Sequence, residues 1–262
     1  MLIASAGYGS SMSDPDLRLA RPPIVEAVLD IDCDLPPNRE ISALEQPARD
    51  VFRNQYPKLR TQYLHEQTFE PSADGPPQFS ARQGIQGYQF LAEDEKQIVQ
   101  VRGQGFSFNR LAPYTNLDDY LPEIERTWRL FVGIASPVQV RLIRLRYINR
   151  IVLPLAGESV DLDEYLRTGP RVPDEGRLRL TAFLNQQTVV EHGTGNQVTI
   201  VLANQALDQQ QIPVILDIGA SRAEVGDPED WSWIAGRIQS LRGLKNRVFR
   251  EMLTARCLEL FR

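Results

Sequence analysis

The stretch Val138–Leu153, VQVRLIRLRYINRIVL, carries the strongest pattern in the chain and predicts a long β-strand at the centre of the fold. Apolar and polar residues alternate along it, as on a strand with one buried face. The apolar set shifts by one residue near Leu142, which predicts a β-bulge. Beyond the bulge, Arg144, Arg146 and Arg150 share the face opposite the apolar set. We call these three residues the arginine row.

An earlier strand, predicted over Ile24–Cys33, offers the arginine row a negatively charged counterpart. Its acidic residues Glu26, Asp30 and Asp32 alternate with apolar residues and therefore share one face. If the two strands are neighbours, ion pairs across them satisfy both sets of charges. Asp30 and Asp32, ~6.5–7 Å apart on one strand face, are also weak candidates for a metal site, with Asp217 as a third carboxylate.

Three interpretations of the arginine row stay open. The sequence favours internal pairing with the acidic residues. The second interpretation is a binding surface, because planar guanidinium groups suit the carboxylates and phosphates of a partner. Arg110, Tyr114 and Asn149 join the arginine row as candidate binding residues in that case. The third interpretation is an active site for an anionic substrate.

Length, charge and cysteine content limit the class of protein. The chain has 262 residues, enough for one large domain or two subdomains with a substantial core. A net charge of −5 disfavours a general nucleic-acid binder. The sequence has no run of the roughly 20 apolar residues that a membrane-spanning helix needs. Cys33 and Cys257 lie in apolar patterns without a Cys-x-x-Cys motif, which suits a reducing cytoplasm.

Catalytic motifs are absent from the sequence. Nucleophilic hydrolysis needs a base beside the nucleophile, and His65 and His192 are the two histidines of the chain. There is no Gly-x-Ser-x-Gly motif, no cluster of zinc ligands and no glycine-rich phosphate loop. We therefore predict no catalytic residues and no cofactor, and we lean towards a protein that is not an enzyme.

The order of patterned segments predicts an α+β fold: a mainly antiparallel sheet, covered on one face by helices, with a long C-terminal helix. The first helix is expected over residues 39–55, residues 69–87 read as an exposed loop, and Asp227 is the expected N-cap of the last helix. The predicted organisation is a flexible tail over residues 1–20, an N-terminal α+β subdomain over 21–155, and a C-terminal subdomain of three strands and the long helix over 156–262.

Four motifs give the chain a resemblance to a known family: Pro22–Val28 (PPIVEAV), Phe106–Tyr114 (FSFNRLAPY), Leu145–Ile151 (LRYINRI) and the closing segment Phe249–Phe261. In combination they resemble a sporadically distributed family of uncharacterised bacterial proteins of comparable length. The resemblance extends from about residue 20 to the end. It implies a bacterial cytoplasmic protein without an assigned activity, and such a distribution is typical of defence or toxin–antitoxin modules.

These observations predict a protein that works by binding. We expect a protein partner, with a homodimer as one possibility, and an accessory or neutralising role, for example in a defence or toxin–antitoxin module. The alternative is an enzyme or sensor that binds a nucleotide or another anionic small molecule through an arginine-lined sheet face.

Overall fold

The computed structural model describes residues 19–70, 78–154, 160–171, 177, 178, 180–206 and 211–262, with the side chains of residues 65–70 and 78–82 left out. The described residues form one antiparallel sheet of nine strands and four α-helices, which confirms the α+β class and the long C-terminal helix. The strands are β1 Ile24–Asp34, β2 Lys58–Glu70, β3 Gln78–Leu91, β4 Gln97–Arg102, β5 Gly105–Leu111, β6 Gln139–Pro154, β7 Leu184–Val190, β8 Gln197–Asn204 and β9 Gln211–Gly226. The helices are α1 Glu45–Phe52, α2 Leu117–Ala135, α3 Trp231–Met252 and α4 Ala255–Glu259.

The strand order, β2-β3-β4-β5-β1-β6-β9-β8-β7, places β1 and β6 side by side at the centre. Each of these two strands is followed by a set of antiparallel strands that returns to its free side, and then by a helix. The two halves of the sheet therefore share this outline, although the first has five strands and helix α1 after β1, and the second has four strands. Because β6 pairs with both β1 and β9, the hydrogen-bonded sheet continues across the centre. The division into subdomains at residue 155 stays a prediction.

The predicted β-bulge in β6 is present. Leu142 lies opposite Asp32 on β1, whereas Val140 lies opposite Cys33, so the pairing omits Arg141. The pairing of β6 with β9 shifts at the same place. The bulge thus lies one residue before the predicted position, and after it the buried positions alternate from Ile143 onwards.

Aromatic contacts join the helices to one alternating set of strand residues. Phe52 of α1 lies 5.3 Å from Phe90 of β3 between ring centroids, and Trp128 of α2 lies 5.7 Å from Phe106 of β5. All four side chains are almost completely buried. Since each large apolar side chain stabilises the fold by ~1.5–3 kcal/mol when buried, this layer makes a major contribution to stability.

Helix α2 has a local sequence signal at each end. The Asn116 side chain caps its first turn by accepting a hydrogen bond from the Asp119 N–H at 3.2 Å. Its end is marked by Ser136, whose φ of 49° is left-handed, and by Pro137. The cap and the end together fix where the chain enters β6.

The predicted exposed loop over residues 69–87 is wrong. β2 continues to Glu70 and β3 begins at Gln78, and the two strands pair along their whole length. Residues 71–77 lie outside the described part of the chain. Residues 69–87 are rich in Pro, Gly, Ser and Gln, but in the described part of this range hydrogen bonding between the two strands outweighs low β-propensity.

The predicted start of the last helix is also wrong. α3 begins at Trp231, and its N-cap is Asp230, whose side chain accepts a hydrogen bond from the backbone N–H three residues later. Asp227 instead closes a turn before the helix. Its carboxylate accepts from the N–H of Glu229, and its backbone oxygen accepts from the N–H of Asp230.

Candidate functional site

The arginine row lies on the β6 face opposite the buried alternating set, as predicted. Arg144 stands directly opposite Asp30 of β1, and Arg146 stands opposite Val28 of β1 and Gly219 of β9. The Arg144 and Arg146 side chains are 41% and 45% exposed. The row is therefore half-buried in a layer of neighbouring side chains.

Each arginine of the row contacts a described partner. Arg146 donates from Nε to both carboxylate oxygens of the buried Asp217, at 2.9 and 3.0 Å, and this bonding raises the pKa of Arg146. Arg144 Nη1 lies 3.5 Å from an Asp30 oxygen. Arg150 donates from Nε to the Gln205 side chain at 3.2 Å. Of the predicted ion pairs with β1, the structure contains Arg144–Asp30.

The acidic residues of β1 have partners on the other side of the strand. Asp32 accepts a hydrogen bond from Arg102 of β4 at 2.8 Å. Asp30 accepts from the Ser107 hydroxyl at 2.5 Å, and Glu26 accepts from the Asn109 amide at 2.6 Å. Asp30 and Asp32 thus serve as hydrogen-bond acceptors, and the described side chains contain no group of three or more His, Cys, Asp or Glu residues arranged to hold a metal.

Arg110 lies apart from the arginine row. It stands opposite Ala27 in the β1–β5 pairing, so it points to the other face of the sheet. Its Nε donates to the Tyr120 hydroxyl at 3.2 Å, and its guanidinium lies over the Tyr120 ring. Arg110 therefore joins the sheet to α2 and does not extend the row.

Tyr114 and Asn149, the remaining predicted binding residues, line a cavity of about 560 Å³. We call it the α3 cavity. It lies among the segment before β1, the start of α2, β6 and α3. Its polar lining residues are Tyr114, Thr115, Asn116, Asp118, Asp119, Tyr147, Asn149, Arg242, Lys245 and Asn246.

Lys245 is the buried cation of the α3 cavity. The residue is 8% exposed, and its Nζ lies 3.8 Å from the centroid of the Tyr147 ring. Burial and, to a smaller extent, the positive charge of the nearby Arg242 together lower the pKa of Lys245 from 10.5 to about 7. Near neutral pH the amine is thus close to its midpoint between charged and neutral forms.

Two tyrosines and an ion pair surround this lysine. The hydroxyls of Tyr114 and Tyr147 are 2.7 Å apart and buried. Burial raises the pKa of Tyr147 to about 12 and raises that of Tyr114 as well, so both phenols stay neutral. Arg242 donates from Nη1 to both carboxylate oxygens of Asp118, at 2.8 and 2.9 Å.

The sequence contains a signal for this site that its analysis missed. Ile238, Leu241, Val248 and Met252 define the apolar stripe of the last helix, and Lys245 occupies the stripe position between Leu241 and Val248. The chain has 29 basic residues, and only Lys58, Lys96 and Lys245 are lysines. A lysine inside an apolar stripe indicates a buried amine.

A second candidate surface follows the edge of the sheet at β7. Leu184, Val189 and Val190 are 72%, 46% and 63% exposed. A groove of about 450 Å³ lies between this edge and α3, and we call it the β7 groove. Its lining residues are Val189, Val190, Glu191, Val198, Leu244, Arg247, Val248, Arg250 and Glu251.

Comparisons with models of protein families, with curated proteins and with solved structures gave no match. Within the described ranges, every helix is too short or too polar to span a bilayer. The functional proposals below therefore rest on the geometry of the chain itself.

Proposed function

We propose that the protein is a non-enzymatic accessory subunit that binds a protein partner along the outer edge of β7. The observation that carries this proposal is the outer edge of β7, which pairs with no described strand, together with its exposed residues Leu184, Val189 and Val190 and the groove beside it. The family resemblance supports a bacterial cytoplasmic setting. A neutralising or accessory role in a defence or toxin–antitoxin module agrees with that setting.

The edge of β7 is suited to pairing with another strand. Its inner side pairs with β8 without a register shift, and no described strand pairs with its outer side. Backbone N–H and C=O groups on such an edge are a template for a further strand. Proteins commonly protect edges with lysine, proline or a bulge, and the β7 sequence LNQQTVV contains neither lysine nor proline.

The β7 groove determines the kind of partner. Val190, Leu244 and Val248 give it an apolar floor, and Arg247 and Glu251 lie among its charged residues. An extended peptide segment added to β7 would gain main-chain hydrogen bonds from the edge and place alternate apolar side chains in the groove. The partner we propose is thus a protein that offers an extended, mainly apolar segment.

We further propose that the helices cover one sheet face and leave the arginine face open. Phe90, Phe106 and Tyr147, which contact α1, α2 and α3, belong to the same alternating set of strand residues. The arginine row belongs to the other set. There Asp30 and Asp217 form ion pairs with Arg144 and Arg146, and the Gln205 amide oxygen accepts a hydrogen bond from Arg150. The geometry therefore favours internal pairing of the arginine row. It favours less the alternative that the row binds a nucleotide or another polyanion.

The test is partner capture by the tagged full-length chain from its native cytosol. Val190→Lys places a charge on the β7 edge, and Val225→Lys is the matched control because Val225 is 67% exposed at the end of β9. We expect capture to fall by about tenfold or more in Val190→Lys and to persist in Val225→Lys, with unchanged thermal unfolding in both. Equal capture by the wild type and Val190→Lys would contradict the proposal.

Light scattering distinguishes the two kinds of protein partner. A wild-type dimer that becomes a monomer in Val190→Lys would identify the partner as a second copy of this chain. A wild-type monomer that captures a different protein would identify a heterologous complex.

A further inference from the structure

The α3 cavity contains a cation that the described part of the fold does not neutralise. Lys245 is buried, and its ammonium contacts the face of the Tyr147 ring. No described carboxylate or carbonyl oxygen accepts a hydrogen bond from its Nζ. Buried lysines are almost always paired, because an isolated charge away from water is costly. An unpaired lysine that lines a cavity is a position where a bound anion is stabilised.

The neighbouring charges restrict the kind of anion. Arg242 is engaged by Asp118, and Asp119 also lines the cavity. These two carboxylates repel a polyanion such as a nucleoside triphosphate or a phosphate dianion. A single negative charge placed against Lys245 avoids most of that repulsion, since it carries less charge than a polyanion and the repulsion decreases with distance from the acids.

The other walls add apolar surface and a hydrogen-bond acceptor. Pro23, Leu117 and Phe249 supply apolar walls. The Asn149 side chain donates from Nδ2 to the backbone oxygen of Leu216 at 2.8 Å. This bond orients the amide and leaves its Oδ1 without a donor among the described residues. Oδ1 is thus available to a hydroxyl or amino group of a ligand.

We propose that the α3 cavity binds a small organic carboxylate with an apolar body, whose carboxylate accepts a hydrogen bond from Lys245 Nζ and whose hydroxyl or amino group donates to Asn149 Oδ1. The volume of about 560 Å³ lies within the range of small-molecule sites. The bound carboxylate favours the protonated lysine, because an opposite charge at hydrogen-bond distance stabilises the charged form.

The first test is calorimetric titration of the full chain with 4-hydroxybenzoate as a probe of this chemistry. We expect a Kd on the order of 1 mM at pH 6.5. The neutral isostere 4-hydroxybenzamide and sulfate, which is a dianion at this pH, are each expected to bind at least about tenfold more weakly. Raising the pH to 9 is expected to weaken 4-hydroxybenzoate binding by at least about tenfold, because the lysine loses its proton.

Substitutions of single lysines test whether 4-hydroxybenzoate binds at Lys245. Lys245→Met is expected to weaken 4-hydroxybenzoate binding by at least about tenfold. The matched control Lys96→Met, at an exposed turn position, is expected to bind like the wild type. Equal binding by the wild type and Lys245→Met would overturn the proposal. So would the absence of 4-hydroxybenzoate binding at about 10 mM, or tighter binding of sulfate or the amide.

A measurement on the wild-type protein removes any dependence on how the variant folds. Reductive methylation with formaldehyde and cyanoborohydride modifies accessible neutral amines, and mass spectrometry locates the modified residue. We expect 4-hydroxybenzoate to slow modification of Lys245 severalfold and to leave Lys96 unaffected. Equal rates at Lys245 with and without 4-hydroxybenzoate would contradict the proposed site.

Discussion

Replacement of Lys245 by methionine should make the stability of the protein less dependent on pH. Methionine keeps most of the length and the apolar part of the lysine side chain and removes its ionisable group. Burial lowers the pKa of Lys245 from 10.5 to about 7. Between these two values the unfolded chain holds a proton that the folded chain lacks, so the wild type becomes more stable as the pH rises.

The size of the effect follows from the two pKa values. The cost of burying the amine is fully present below pH 7, decreases as the pH rises, and disappears above about pH 10.5. At pH 7 it amounts to ~4 kcal/mol, and between pH 7 and 8.5 it decreases by about 1 to 2 kcal/mol. Lys245→Met should therefore be more stable than the wild type at pH 7, and the difference should be smaller at pH 8.5.

Urea unfolding, followed by tryptophan fluorescence, measures the free energy of unfolding of both proteins at pH 7 and at pH 8.5. Subtraction of the wild-type free energy from that of Lys245→Met removes the contributions of the other ionisable groups, because they are present in both proteins. A difference that is the same at the two pH values would refute the argument that the lysine is buried without a counterion. A variant less stable than the wild type at pH 7 would refute it as well.

Four further substitutions, one of them a control, test the fold. Asp217→Ala removes the acceptor of Arg146 and should cost ~1–2 kcal/mol in urea unfolding, less than for a fully buried pair because the arginine is half-exposed. Gly105→Ala should cost ~2 kcal/mol or more, since φ is 138° and a Cβ atom would clash with the Ile31 carbonyl oxygen, whereas Gly103→Ala, with open space around it, should stay within ~0.5 kcal/mol. Asn116→Ala removes the cap of α2 and should lower the free energy of unfolding by ~1 kcal/mol.

The sequence predicted the fold best where burial leaves a periodic pattern. β6 lies at the centre of the sheet with one buried face, so its alternation and its bulge are visible in the sequence. α2 has an apolar stripe, and its start is encoded locally by Asn116. In both elements, local preference and tertiary burial favour the same structure.

The first half of β3 and most of β2 could not be predicted in this way. Their sequences mix glycine, glutamine and charged residues, without a regular apolar alternation. Pairing between the two strands fixes their extended conformation, and such pairing depends on residues distant in the chain. The predicted start of α3 was wrong for a related reason. Asp227 and Asp230 both suit an N-cap, and the turn before Asp230 accepts a hydrogen bond from Trp128 of α2 at the Pro228 backbone oxygen, a contact distant in sequence.

The candidate site was predicted only in part. The arginine row shares a face, but its closest acid is Asp217 of β9, because the register places Val28 of β1 opposite Arg146. Tyr114 and Asn149 lie together in the α3 cavity, a neighbourhood that no local pattern indicates. Contacts between elements distant in sequence define the cavity. The apolar stripe of α3 therefore indicates that Lys245 is buried, but it does not indicate which residues surround the amine.

Measurement of the Lys245 pKa is the most direct test of the central claim, which is that the α3 cavity presents a buried amine to an anionic ligand. The three lysines can be labelled with carbon-13 next to the amine, and Lys245→Met assigns the Lys245 signal in an NMR titration. We expect a pKa of about 7 for Lys245 in the free protein, and a clearly higher value when 4-hydroxybenzoate is bound. A pKa near 10.5 in the free protein, or one that 4-hydroxybenzoate leaves unchanged, would contradict the account.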